Sequence, residues 1–187
     1  MTLNYQLDRN DYLQHQLYTS SQSVWLKKEN RKACLIYDGF SLGLSVAFYF
    51  VGQGKWGNYL TLYFIILTII FLFFYPSMLK SSQLKNCERS VDEVYKNRFG
   101  QTVEIVFSDE TIETKDKMCE AKLQLKNVEK IIEIPSHFYV KLLTGETLIV
   151  PKNGIHDIEM LRDNLKNLCQ RLSVNFVSDL TWTWHRK

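Results

Sequence analysis

The sequence predicts a membrane protein in two parts: a two-helix transmembrane hairpin and, after it, a cytoplasmic α+β domain in which an antiparallel sheet is closed by a C-terminal helix. Three observations predict it. Apolar residues crowd between Ala33 and Tyr75, although mean hydropathy over the whole chain is only -0.19. Beyond Gly100 the apolar period becomes two, the mark of strands with one buried face. Near the C-terminal end it becomes three-and-four, the mark of an amphipathic helix.

Residues 1–32 form an N-terminal cytoplasmic arm. Asp8 or Asn10 caps a short helix whose apolar stripe is Tyr12, Leu13, Leu17 and Tyr18, and the arm ends on Lys27, Lys28, Arg31 and Lys32, with Trp25 beside them.

Residues 33–76 are the hairpin, with spans at about 33–51 and 58–75. The second span, "NYLTLYFIILTIIFLFFYP", holds no charge and no glycine, and its proline comes last. Asn58 to Tyr75 covers about 27 Å as a helix, close to the roughly 30 Å of a hydrocarbon core. Tyr59 and Tyr75 sit at its ends, where aromatic rings favour the headgroup level. The first span carries Asp38, two serines and two glycines. Asp38 lies near its N-terminal end, where the carboxylate reaches interfacial water or Lys32; the sharper alternative is a functional intramembrane charge. Gly39, Gly43 and Ala47 recur every four residues, a small-residue stripe for packing against the second span or against another copy in a homo-oligomer. "GQGKWGN" is long enough only for a tight turn, so both termini face one side. Cations flank the hairpin's open end (Lys80, Lys85 and Arg89 follow it), whereas the tip has only Lys55, so both termini are expected in the cytoplasm.

Residues 77–99 read as an amphipathic linker helix with Leu84, Cys87, Val91 and Val94 on one face, stopped at Gly100. Residues 100–173 are the α+β domain. Val103, Ile105, Phe107 and Ile112 alternate around a turn at "SDE", and "AKLQL", "VEKIIEI", "HFYVKLL" and "ETLIV" read as further strands. The closing helix carries Ile155, Ile158, Leu161, Leu165, Leu168 and Leu172, with Asn153 as its cap. In the tail, 174–187, Leu180, Trp182 and Trp184 share one side of an extended strand. With Arg186 and Lys187 they suit an interfacial anchor, or alternatively an edge strand over the domain's own apolar surface.

Net charge is only +3, without the basic bias of a nucleic-acid-binding surface. Four scattered cysteines and four histidines fall at no metal-ligand spacing and form no disulfide framework, and no metal or cofactor is implied. There is no phosphate-binding glycine loop and no hydrolase motif. Cys119 with His137 is the one nucleophile–base pair to consider, and a buried cysteine beside a strand histidine accounts for both. "PKNG", Pro151 to Gly154, offers backbone N–H groups and Lys152 to an anion, or is a plain turn.

The layout resembles the YcxB-like family of small bacterial membrane proteins. The carrying features are "DYLQHQLY", the basic segment, the two spans ending "FFYP", the strand pair in "FGQTVEIVFSDETIET", and "FYVKLLTGETLIVPKNGI" before a helix. The chain departs from that pattern in having Leu123 or Leu125 where relatives often carry a tryptophan. The resemblance implies a pleckstrin-homology-like C-terminal domain and no catalytic residues. The expected function is therefore a non-enzymatic, membrane-anchored interaction protein whose domain binds a protein partner or lipid headgroups at the inner leaflet. The alternatives are a membrane-resident immunity protein that neutralises a toxin and, less well supported, a transporter or enzyme component that uses Asp38.

Overall fold

The computed structural model describes residues 1–51, 55–117 and 120–184. Among these the chain divides into two compact units, Met1–Gln16 with Glu88–Trp184, and Leu17–Cys87.

The first unit contains two four-stranded sheets. Strands β1 (Thr2–Leu7), β2 (Gln101–Phe107), β3 (Thr111–Lys115) and β4 (Glu120–Gln124) form the first, in that order and antiparallel throughout. Strands β5 (Val128–Glu133), β6 (His137–Leu142), β7 (Thr147–Pro151) and β8 (Asn175–Ser178) form the second, in the order β7-β6-β5-β8. β8 runs parallel to β5, pairing Ile131 with Phe176. The expected single antiparallel sheet is thus two sheets, one of which carries a parallel edge strand.

The strand after the "SDE" turn starts where the alternation placed it, because Ile105 and Ile112 must both point inward and are 1% and 0% exposed. β1 is the element the sequence reading lacked. Its alternating Tyr5 and Leu7 are buried, and its register pairs Leu3 with Ile105 and Tyr5 with Val103. A domain beginning at residue 100 is therefore short of its first strand, which lies upstream of both apolar helices.

Helix α4 (Ile158–Leu172) closes the second sheet, burying Leu161, Leu165 and Cys169. Its cap is Asp157, whose carboxylate accepts from the Met160 N–H, and not Asn153. The helix starts later than expected because Asn153 and Gly154 belong to a turn, with Gly154 at φ 91°. Ser173 ends it in the left-handed conformation.

α1 (Arg9–Gln22) and α3 (Lys55–Val94) each run across the division between the units, and α2 (Val24–Val51) lies wholly in the second. α2 and α3 are long and apolar enough to cross a membrane. α3 does not stop at Pro76 but continues through it to Val94, so the second apolar stretch and the expected linker helix are one element. A proline there removes one hydrogen bond of the helix ladder, and the flanking turns carry the helix on. α2 begins nine residues before Ala33, taking the basic segment into the helix.

Candidate functional site

α1 starts on a reciprocal cap. Asp8 accepts from the Asp11 N–H at 2.9 Å, and Asp11 Oδ2 accepts from the Asp8 N–H at 2.7 Å, satisfying two donors that a helix start leaves open. The other oxygen, Asp11 Oδ1, meets His137 Nε2 at 2.9 Å. Nδ1 of the same ring lies 2.7 Å from Ser136 Oγ. His15, one turn along α1, stands edge-on to Tyr139 at 5.2 Å. Burial would raise the Asp11 carboxyl, but the hydrogen bonds from His137 and the Asp8 backbone outweigh it and hold the group below the usual carboxylate range. Burial, with His137 nearby, pushes His15 down to about 4. Tyr5 of β1 donates to Ile149 O of β7 at 2.7 Å, tying the two sheets together, and burial raises its phenol far above the ordinary value.

Carboxylate, imidazole and hydroxyl here follow the order used in nucleophilic catalysis. His137 is nonetheless 2% exposed and packed beside the Tyr139 ring at 5.6 Å. In this geometry the contact clamps the start of α1 to β6.

A second polar cluster sits at the end of β5. Glu133 is 1% exposed, and its Oε1 accepts from Lys152 at 2.7 Å and from Arg162 at 2.9 Å. Arg162 also pairs with Glu159, and the Lys152 ammonium lies 4.7 Å from the Phe138 ring centre. Desolvation would raise the Glu133 carboxyl, but the two cations outweigh it and hold it low. This arrangement decides the reading of "PKNG". Lys152 is turned inward onto Glu133, and the helix that follows opens on Asp157 and Glu159, so the segment works as a turn and holds no free cation toward an anion.

In the second unit, α2 and α3 pack antiparallel. Ser41 and Thr68 hydroxyls lie 2.7 Å apart, Thr61 donates to Ser45 O at 3.4 Å, Tyr37 stacks on Phe71 at 3.7 Å, and Phe48 stacks on Phe64 at 5.4 Å. The packing face of α2 is therefore Asp38, Ser41, Ser45 and Phe48. Gly39, Gly43 and Ala47 are exposed about half a turn away, at 100° per residue, and a Cβ added to either glycine meets nothing within 4 Å. The stripe does not pack against the second span. Asp38 is engaged by the Cys34 thiol, which donates to Oδ2 at 3.4 Å, and not by Lys32, which pairs with Glu29. Asp38 Oδ1 is buried and has no hydrogen-bond partner among the described residues.

Leu180, Trp182 and Trp184 do not share an extended strand. β8 ends at Ser178, and a turn follows in which the Trp182 N–H donates to Asp179 O at 3.3 Å. Arg186 and Lys187, Cys119, and the start of the "GQGKWGN" connection lie outside the described residues.

Charge separates between the units more sharply than the total suggests. Residues 17–87 hold seven Lys and Arg against two Asp and Glu, a net of +5, whereas residues 1–16 with 88–184 hold fourteen against eighteen, a net of -4. In the first unit the cations Arg9, Arg89, Lys115, Lys122, Lys141, Lys152, Arg162 and Arg171 all have carboxylate partners. A surface cleft of about 530 Å³ opens between the end of β2 and α4, lined by Phe107, Ser108, Asp109, Asn164, Leu168 and Arg171 among others. Among the described residues no group of three metal-ligating side chains gathers.

Residues 107–163 match the family described as YcxB-like protein. The likeness covers this segment, under a third of the chain. It runs from the last residue of β2 through β3–β7 into α4 and includes Glu133, His137 and Lys152, with Arg162 near its end. β1, α1 and both apolar helices lie outside it. No curated protein and no solved structure matches the chain significantly. Neither Asp11–His137 nor the Glu133 cluster was foreseen from sequence. The available signals were the acidic pair three apart at Asp8 and Asp11, and a glutamate set between the apolar Ile132 and Ile134.

Proposed function

We propose that this chain is a non-enzymatic interaction protein anchored in the bacterial cytoplasmic membrane. α2 and α3 cross the bilayer as a hairpin, both termini face the cytoplasm, and a pleckstrin-homology-like domain engages a protein partner at the inner leaflet. The observation that carries this reading is the pairing of β1 with β2. One precedes the two apolar helices and the other follows them, so their ladder requires the two helices together to leave and return on one side. That supports a shared side for the two termini independently of the flanking cations, which in turn point that side to the cytoplasm.

Insertion itself is supported by Leu35, Ile36, Phe40, Ile69, Phe73 and Phe74, all large, apolar and exposed, on a scale that water does not tolerate and lipid does. Two sheets closed by a helix support the pleckstrin-homology-like reading. The domain's net charge of -4 and its paired cations favour a protein partner over anionic headgroups.

In-cell crosslinking tests the reading. A photoreactive residue at Leu143, exposed on the β6–β7 turn, is expected to trap one protein in near-stoichiometric yield, and the same residue at Phe73 is expected to trap lipid. A chain recovered without a partner from Leu143 and from three other sites on the domain surface would overturn it.

A further inference from the structure

We infer that the open end of the helical pair is an anionic-phospholipid site, and that lipid headgroups are selected by this collar of cations and not by the folded domain. The inference rests on the membrane reading above. Tyr75 donates to Asn30 O at 3.4 Å and so fixes the relative height of the two helices. At about 1.5 Å per residue, Arg31, Lys28, Lys27 and Lys80 all fall within roughly 10 Å of one another along the helix axes. All four are exposed, and none makes an ion pair among the described residues. On α2, Lys27, Lys28 and Arg31 lie within a single 100° arc.

Immediately toward the apolar section stand the exposed chains of Leu35 and Ile36 on α2 and of Phe73 and Phe74 on α3. A lipid can therefore set its phosphate against the cations while its acyl chains lie along the apolar faces. Trp25, 67% exposed beside Lys27, suits the same interfacial depth. Uncompensated cations at that depth attract anionic leaflets, and the attraction is additive per charge. The domain differs: eight of its fourteen Lys and Arg pair with carboxylates, and its net charge is negative.

The experiment uses the full chain in vesicles of equimolar phosphatidylglycerol and phosphatidylcholine, released into mild detergent for native mass spectrometry. Bound lipid is expected to be mainly phosphatidylglycerol. The variant Lys27→Gln, Lys28→Gln, Arg31→Gln, Lys80→Gln is expected to lose that enrichment by about tenfold or more. Lys27→Arg, Lys28→Arg, Lys80→Arg is expected to retain it, which separates charge from side-chain identity and from folding. Equal retention of both lipids by the native chain, or enrichment unchanged in the glutamine variant, would overturn the collar. Flotation of the same vesicles reads insertion separately. A chain that fails to float overturns the membrane reading and the collar with it, whereas a chain that floats without lipid preference overturns the collar alone.

Discussion

Asp11 and His137 are 126 positions apart in the chain and meet at 2.9 Å, carboxylate oxygen to imidazole nitrogen. One belongs to the cap of the first helix and the other to a strand laid down after both apolar helices. Asp11 serves two structures at once, because its second oxygen closes the cap on the Asp8 N–H. Asp11→Ala is therefore expected to cost about 2 kcal/mol, one part for the cap and one for a buried histidine left without its partner. His137→Phe is expected to be non-additive with it by about 1 kcal/mol. Urea unfolding of the detergent-solubilised chain, followed by far-UV circular dichroism, measures both.

His15 predicts the pH dependence. Its folded value is depressed to about 4 from an ordinary 6.5, so between these values the unfolded chain binds a proton that the folded chain does not. Its contribution is complete above about 6.5 and is lost as pH falls toward 4, by up to about 3 kcal/mol. Asp11 and Glu133, both held low, add their losses only in stronger acid, as pH falls through their folded values. His15→Phe, which keeps a ring against Tyr139, is expected to abolish the first loss and leave the second. Unfolding midpoints across pH 3–8 decide it; a native profile that is flat from pH 6.5 to 4.5 would contradict the assignment.

At the Glu133 cluster, Glu133→Gln leaves Lys152 and Arg162 partly buried without their carboxylate and is expected to destabilise by about 3 kcal/mol or more. Glu159→Gln removes only the exposed arm of the same cluster and is expected to cost well under about 1 kcal/mol. Thermal melts of the two variants side by side read the difference.

The two faces of α2 make a third contrast. Gly39→Ala and Gly43→Ala add a methyl into open space and remove helix-weakening glycines, so each is expected to be neutral or slightly stabilising. Ser41→Leu drives a bulky chain into the contact with Thr68 and is expected to separate the helices. Disulfide trapping between cysteines at positions 48 and 64, whose rings stack in the native pair, reads the separation.

Much of the architecture was legible, and for identifiable reasons. β2, β3 and α4 announce themselves because one face of each is buried and its period shows along the chain, whereas β6 shows as a short run buried on both faces. β1 is only six residues long and borders a helix start, so a reading by segments passed over it; Leu3, Tyr5 and Leu7 did carry the alternation. β8 is a short parallel edge whose pairing depends on where α4 delivers the chain. Pro76 reads as a terminator to local rules, yet α3 continues past it. The candidate clusters were hidden for a different reason. Asp11 with His137, and Glu133 with Lys152 and Arg162, are relations between elements, and no local spacing encodes them. The Gly39, Gly43 and Ala47 stripe shows the limit from the other side: its spacing was read correctly, but spacing does not say which of two faces a neighbour will occupy.

The pairing of β1 with β2 also sets a timetable. Thr2 leaves the ribosome more than a hundred residues before its partner, Val106. In between, the chain must deliver both apolar helices. β1 is made before both apolar helices and paired only after them, so the first sheet remains incomplete until that delivery is finished. On the proposed membrane reading, a chain stalled or misdirected at the bilayer would leave the edge of β2 unpaired and Ile105 uncovered, and such edges invite aggregation and proteolysis. On that reading, completion of the fold would be a check, built into the order of the strands, that the helices have reached their destination.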